Sequence, residues 1–223
     1  MKKSIISIAL SATLATSALV STQASAVEGL SANVGVASNY IWRGITQTDD
    51  EAAVSGGIDY VTDSGFYVGT WASNLASGAG AEVDIYAGYG FEADGISYDF
   101  GYIFYGYDQS QGSAGDLDFG EIYASIGIDA FSFGVSILAH AEFEQDFADD
   151  VYYTADYAVD VEGLEIGFHA GFYDTETSYE DGNIYDGYDV GVSVSKNNFT
   201  LGVSKHQNTN TSLYLSYAID IDL

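Results

Sequence analysis

The chain has 223 residues, of which 33 are acidic and 5 basic, for a formal charge of −28, and it contains neither cysteine nor proline. That balance opposes any approach to nucleic-acid phosphates, and the missing cysteines exclude disulfide staples. Proline breaks ladder hydrogen bonds, so its absence, alongside 26 glycines, 19 tyrosines and 12 phenylalanines, suits a chain made mostly of strand.

The chain opens "MKKSIISIALSATLATSALVSTQASA". Lys2 and Lys3 precede an apolar, small-residue stretch, and Ala24-Ser25-Ala26 offers a small-x-small cleavage site. Residues 1–26 therefore read as a secretory signal peptide, and residues 27–223 are expected to form one domain. Only Arg43, Lys196 and Lys205 then remain as basic side chains. No later segment has the ~20 apolar residues of a membrane helix, but a membrane-spanning strand needs only ~9–11 residues of alternating polarity.

Period-2 alternation runs through the rest of the chain. Twelve such runs are expected, over 30–43, 52–61, 65–74, 82–91, 96–107, 118–128, 131–141, 150–159, 164–173, 184–194, 199–206 and 211–223. The first sets Leu30, Ala32, Val34, Val36, Tyr40 and Trp42 against Ser31, Asn33, Gly35, Asn39 and Arg43. The third is ambiguous, with Phe66 and Val68 on one face and Tyr67 and Trp71 on the other. The fifth sets Tyr98, Phe100, Tyr102 and Phe104 against Ser97, Asp99 and Gly101. Short turn-like links ("TDS", "EADG", "DA", "DVEG", "SKNN") alternate with longer, mostly acidic ones such as "GITQTDDE", "DQSQGSAGDL" and "DTETSYEDGN". An up-and-down antiparallel transmembrane β-barrel of twelve strands has this rhythm, with short periplasmic turns and longer outer loops.

A soluble sandwich would bury the same apolar face. Aromatics near strand ends, a glycine- and serine-rich polar face with mid-strand carboxylates, and a chain that ends on its last strand favour a closed barrel, since unpaired backbone in hydrocarbon costs several kcal/mol. The stretch "SANVGVASNYIWRGITQT", with "GGIDY" and "GFYVGTWASN", resembles the Gcw_chp family of exported proteobacterial proteins. The motif is most specific at Tyr40, Ile41, Trp42, Arg43 and Gly44. The resemblance implies an outer-membrane barrel and a bacterial outer-membrane location. The last strand also resembles a barrel-assembly signal, although Leu223 stands where such signals usually carry Phe.

In this register Tyr40 and Trp42 belong to an aromatic girdle facing lipid, and Arg43 faces the lumen near the outer mouth. Arg43, Asp84, Asp99, Glu121, Asp156 and Asp189 are the candidate lumen or constriction residues, with Glu121 and Asp84 nearest Arg43 in depth. They form either a charged constriction that sorts ions or a structural ion-pair network. His140, His169 and His206 also take inward positions but sit on non-adjacent strands, so neither a metal site nor a cofactor is assigned. No nucleophile-elbow sequence supports an outer-membrane lipase, and the reading is not an enzyme. Acidic segments at 49–51, 116–121 and 180–189 depart from the twelve-residue calcium-loop pattern, leaving plural cation binding, with bridging to lipopolysaccharide phosphates, or a solvated surface. The expected function is a narrow porin-like channel or binding lumen for small, preferentially cationic solutes. The alternatives are a non-conducting structural barrel and a lipid-modifying enzyme.

Overall fold

The computed structural model describes residues 27–77, 79–108, 117–142, 145–176 and 184–223. The candidate signal peptide, residues 1–26, lies outside the described residues, as do parts of the acidic segments at 116–121 and 180–189. The described residues form strands β1 (Leu30–Ala37), β2 (Ile41–Trp42), β3 (Ile45–Thr46), β4 (Ala53–Val61), β5 (Phe66–Asn74), β6 (Ala81–Ala93) and β7 (Ile96–Tyr107). These are followed by β8 (Phe119–Ile128), β9 (Phe131–Ala141), β10 (Asp150–Val161), β11 (Leu164–Thr175), β12 (Gly187–Lys196), β13 (Phe199–His206) and β14 (Thr211–Asp222). All but β2 and β3 form a closed barrel in the order β1-β14-β13-β12-β11-β10-β9-β8-β7-β6-β5-β4. Every neighbouring pair is antiparallel, and β1 closes the ring by pairing with both β4 and β14. The chain is thus a twelve-stranded all-β barrel.

The tight turns are set by local chemistry. Asp94-Gly95, Glu162-Gly163 and Asn197-Asn198 all hold positive φ. Two consecutive positive-φ residues make the type I′ hairpin turn, whose twist matches that of the flanking strands. The segments between strands at the opposite end, including 38–52 and 108–118, are longer.

The alternation sorts cleanly by face. Val34, Val54, Ile58, Val83, Ile85, Phe100, Ile122, Val192, Leu201 and Leu215 are exposed on the outer surface. Tyr67, Trp71, Tyr86, Tyr105, Tyr152, Tyr173 and Tyr214 are buried in the lumen. The third run is settled by this: Tyr67 and Trp71 point inward, while Phe66 and Val68 are exposed.

Two expectations are corrected. The first run does not extend to residue 43, because β1 ends at Ala37. There the Ser38 hydroxyl accepts from the Leu215 amide (2.9 Å), and the chain then leaves the wall. Tyr40 and Trp42 therefore belong to no lipid-facing girdle; Tyr40 is buried and Trp42 partly buried. The outward aromatics instead flank the tight turns. Ring pairs Phe66–Tyr89 (4.7 Å), Phe91–Tyr98 (4.9 Å), Phe131–Tyr157 (4.7 Å) and Phe199–Tyr217 (4.7 Å) line that end. At the loop end, Tyr153, Phe172 and Tyr188 stand side by side on adjacent strands and are exposed. Two such bands suit the two headgroup levels of a bilayer.

The second correction concerns His140. The β8–β9 register shifts, so that Glu121 opposes Leu138 while Gly120 opposes His140. This bulge, a one-residue excess on β9, leaves Leu138 in the inward phase of Ser132, Gly134 and Ser136 but turns His140 outward. His140 accordingly meets the Tyr102 hydroxyl (2.6 Å) and stacks near Phe104 on the exposed face.

The outer face generates a prediction. Val192 lies mid-strand on β12 and is exposed. Val192→Arg should lower unfolding free energy in lipid vesicles by about 2–4 kcal/mol, with Val192→Leu close to neutral. Denaturant titration measures both, and an arginine effect near zero would contradict a lipid-facing position.

Candidate functional site

Residues 38–52 fold into the barrel as a plug. The small hairpin β2–β3 pairs Ile41 with Thr46 and Trp42 with Ile45, leaving Arg43-Gly44 as its two-residue turn. Both turn residues hold positive φ, +46° and +78°. Gly44 is required twice over. Its backbone is in the left-handed region, and a Cβ there would lie 2.6 Å from the Asp189 Cβ and 3.0 Å from that of His206. The plug's base is fastened by Thr48, which is completely buried. Its hydroxyl accepts from the Tyr40 amide (3.1 Å) and donates to the Glu51 carbonyl (2.6 Å), while the Gln47 amide donates to the Tyr40 carbonyl (2.7 Å).

The tip crosses the lumen to the wall opposite β1. Arg43 Nη2 donates to both carboxylate oxygens of Glu121 on β8, at 2.8 and 2.6 Å. The guanidinium carbon also lies 4.1, 4.4 and 4.7 Å from the ring centres of Trp42, Tyr152 and Tyr173. Among the described residues, Arg43 Nε and Nη1 have no hydrogen-bond acceptor; the aromatic faces take their place, as cation–π geometry allows. Arg43 is 7% exposed and Glu121 1%. Burial opposes the charge on Arg43, but the Glu121 carboxylate outweighs it, and the guanidinium pKa is raised. Trp42 packs edge-on against Tyr185 (5.3 Å), Tyr105 (6.0 Å) and Tyr173 (6.4 Å). On the other side Tyr40 donates to Glu82 (3.0 Å) and meets Trp71 at 5.4 Å.

The remaining candidates fall into separate groups along the lumen. Asp84 stands beside Glu82 on β6, not beside Arg43. Asp99 accepts from the Tyr67 hydroxyl at 2.8 Å, and that hydroxyl also meets Tyr123. Asp156 and Asp189 are joined by His169, whose Nδ1 lies 2.7 Å from Asp156 and whose Nε2 lies 2.9 Å from Asp189. Tyr152 donates to Asp189 as well (2.9 Å). His206 is buried against the Tyr185 carbonyl (3.1 Å). Among the described residues no group of three or more His, Cys, Asp or Glu side chains could hold a metal ion. A cavity of about 140 Å³ lies against Trp42 and Arg43, lined by Asp84, Asp99, Tyr123, Ser132, Thr154 and Asp156.

Sequence reading by alternation misses the plug and, with it, the roles of Glu82 and Thr48. The signal lies at Ser38-Asn39, where apolar alternation lapses, and at Arg43-Gly44, a pair that can form a hairpin turn.

Among solved structures, the KdgM porin in complex with disordered oligogalacturonate matches at 11% identity with a TM-score of 0.51, covering 87% of this chain and 98% of that one. A chain from a study of the in-meso crystallization of membrane proteins matches at 10% identity with a TM-score of 0.57, covering 87% and 84%. The outer membrane protein OprD from Pseudomonas aeruginosa matches at 15% identity with a TM-score of 0.42, covering 88% and 67%. The barrel thus has a porin-like fold. No curated protein matches the chain. Residues 21–219 match the family described as "Bacterial protein of unknown function (Gcw_chp)", and the chain belongs to that family.

Proposed function

We propose that this protein is an outer-membrane barrel that carries small solutes passively, favours cations, and is narrowed by the plug that Arg43 clasps to Glu121. The clasp carries the reading. It joins the inward-folded segment to the far wall with a buried ion pair, where the lumen is most crowded with aromatic rings. Removing one partner of a buried pair strands the other charge at a cost of about 3–5 kcal/mol, so Arg43 and Glu121 seat the plug only together. The cation preference rests on the remaining charges. Arg43 is neutralised by Glu121, while Asp84 and Asp99 line the cavity beside the plug together with Asp156, whose charge His169 partly offsets. Such a lumen disfavours an acidic sugar chain of the kind the KdgM porin was solved with. The density of plug contacts also favours a second reading, a barrel closed for structural purposes.

Planar-bilayer recording of refolded protein separates the two. Wild type is expected to give small, cation-selective steps. Arg43→Ala and Gly44→Val, which release the plug in different ways, should enlarge them several-fold while the strands stay folded. A folded barrel that is silent in wild type and in both variants would support the structural reading.

The carboxylates make a separate prediction. Asp99→Asn with Asp156→Asn should lower the cation-over-anion permeability ratio measured in a salt gradient, with the larger effect at low salt, where screening is weakest. An unchanged ratio would remove these residues from selectivity.

Residues 1–26 are proposed as a leader removed during export. The intact mass of protein from the outer membrane should then correspond to a chain beginning at Val27, and a mass including the leader would reject this.

A further inference from the structure

Glu82 and Asp84 are two residues apart on β6, so both side chains enter the lumen from one strand. They are 2% and 4% exposed. Their carboxyl groups lie within hydrogen-bonding reach of one another, and Tyr40 donates to Glu82 Oε1. Asp84 also lines the cavity beside the plug. Yet among the described residues Asp84 Oδ1, although fully buried, receives no hydrogen bond. Trp71, directly opposite Asp84 on β5, has a buried indole N–H that is also unpartnered.

Among the described residues no cation compensates this pair. Arg43 is committed to Glu121, His169 to Asp156 and Asp189, and Lys205 donates to the Thr209 carbonyl. Two buried carboxylates without a counter-charge are costly, and either a proton or a bound cation must relieve them. A shared proton satisfies the oxygens that face each other, but it leaves Asp84 Oδ1 without a donor. A cation entering from the cavity satisfies that oxygen too once the Asp84 carboxyl group turns toward it.

We propose that Glu82 and Asp84 bind a partly hydrated divalent cation of the calcium class beside the plug. Carboxylate oxygens suit a hard cation, two negative charges match a divalent one, and cavity water completes a coordination shell that calcium accepts in flexible geometry. Because Tyr40 is tied to Glu82 and packs on Trp71, the ion would also brace the plug. The site goes beyond the conduction reading, since an electrically silent barrel would still bind the ion.

Terbium, a luminescent probe of calcium sites, tests this with folded protein in detergent. The chain has only two tryptophans, Trp42 on the plug and Trp71 opposite Asp84, so indole excitation favours ions bound near the lumen, and the carboxamide variants separate this pair from the acidic loop residues. The expected result is saturable emission displaced by calcium, with half-saturation moved roughly tenfold or more to higher terbium in Asp84→Asn and in Glu82→Gln. Trp71→Phe should reduce the emission without moving half-saturation. Absence of saturable emission in wild type, or unchanged half-saturation in both carboxamide variants, overturns the proposal. Infrared spectroscopy of wild type decides the matter even if the variants misfold. Loss of carboxylic-acid carbonyl intensity, or a shift of the carboxylate stretches, in the calcium difference spectrum supports the site, whereas a spectrum that calcium leaves unchanged overturns it.

Discussion

Hydrocarbon offers a strand no water, so each backbone N–H and C=O of the wall must find its partner in a neighbouring strand. The pairing of β1 with both β4 and β14 meets that demand by leaving no edge. Closure then fixes the rest of the architecture. Alternate residues must face either outside or lumen, and the valines, isoleucines and phenylalanines fall on the outside. Closure also sets a width. Eight strands enclose an interior that wall side chains can fill, whereas twelve enclose more. Inward tyrosines occupy part of that excess, and the 38–52 segment occupies much of what remains.

The plug's stability is a contest between small terms. An arginine with φ of +46° sits in the left-handed region, at a cost of order 1–3 kcal/mol. Three aromatic faces contribute about 0.5–2 kcal/mol each, and losing Glu121 would strand a buried charge at about 3–5 kcal/mol. The aromatic contacts are of the same order as the strain, so the seating of the plug depends on the ion pair staying intact. A plug held on that scale is firmly seated at rest, yet within reach of displacement by a solute or an ion that binds the lumen.

Much of the wall was legible in the sequence because a period of two has only two phases, and choosing the apolar phase for lipid orients a whole strand. The turns were legible for a related reason, since Asp-Gly and Asn-Asn pairs favour the positive φ that tight hairpins need. The plug was not legible. "NYIWRG" continues the alternation past Ala37, and nothing local distinguishes a strand that stays in the wall from a hairpin that leaves it. The decision is tertiary, resting on Glu121 from 78 positions away and on rings from β10 and β11. Aromatics at 40 and 42 resemble interface anchors when only their spacing is read, whereas the bands that flank the tight turns are dispersed over many strands. His140 escaped for the opposite reason: a single bulge reverses the phase, and periodicity cannot register one inserted residue.

One carboxylate links the plug to the electrostatics of the lumen. While Arg43 rests on Glu121, each cancels the other, and both are shielded from water. On the proposed reading, movement of the plug would carry Arg43 away and uncover Glu121 on the wall that Asp156 and Asp189 already make acidic. The opened lumen would then be more negative than the closed one. Charge selection and opening would not be separate devices in this barrel, because the group that holds the plug shut would become part of the surface that attracts a cation once the plug has moved.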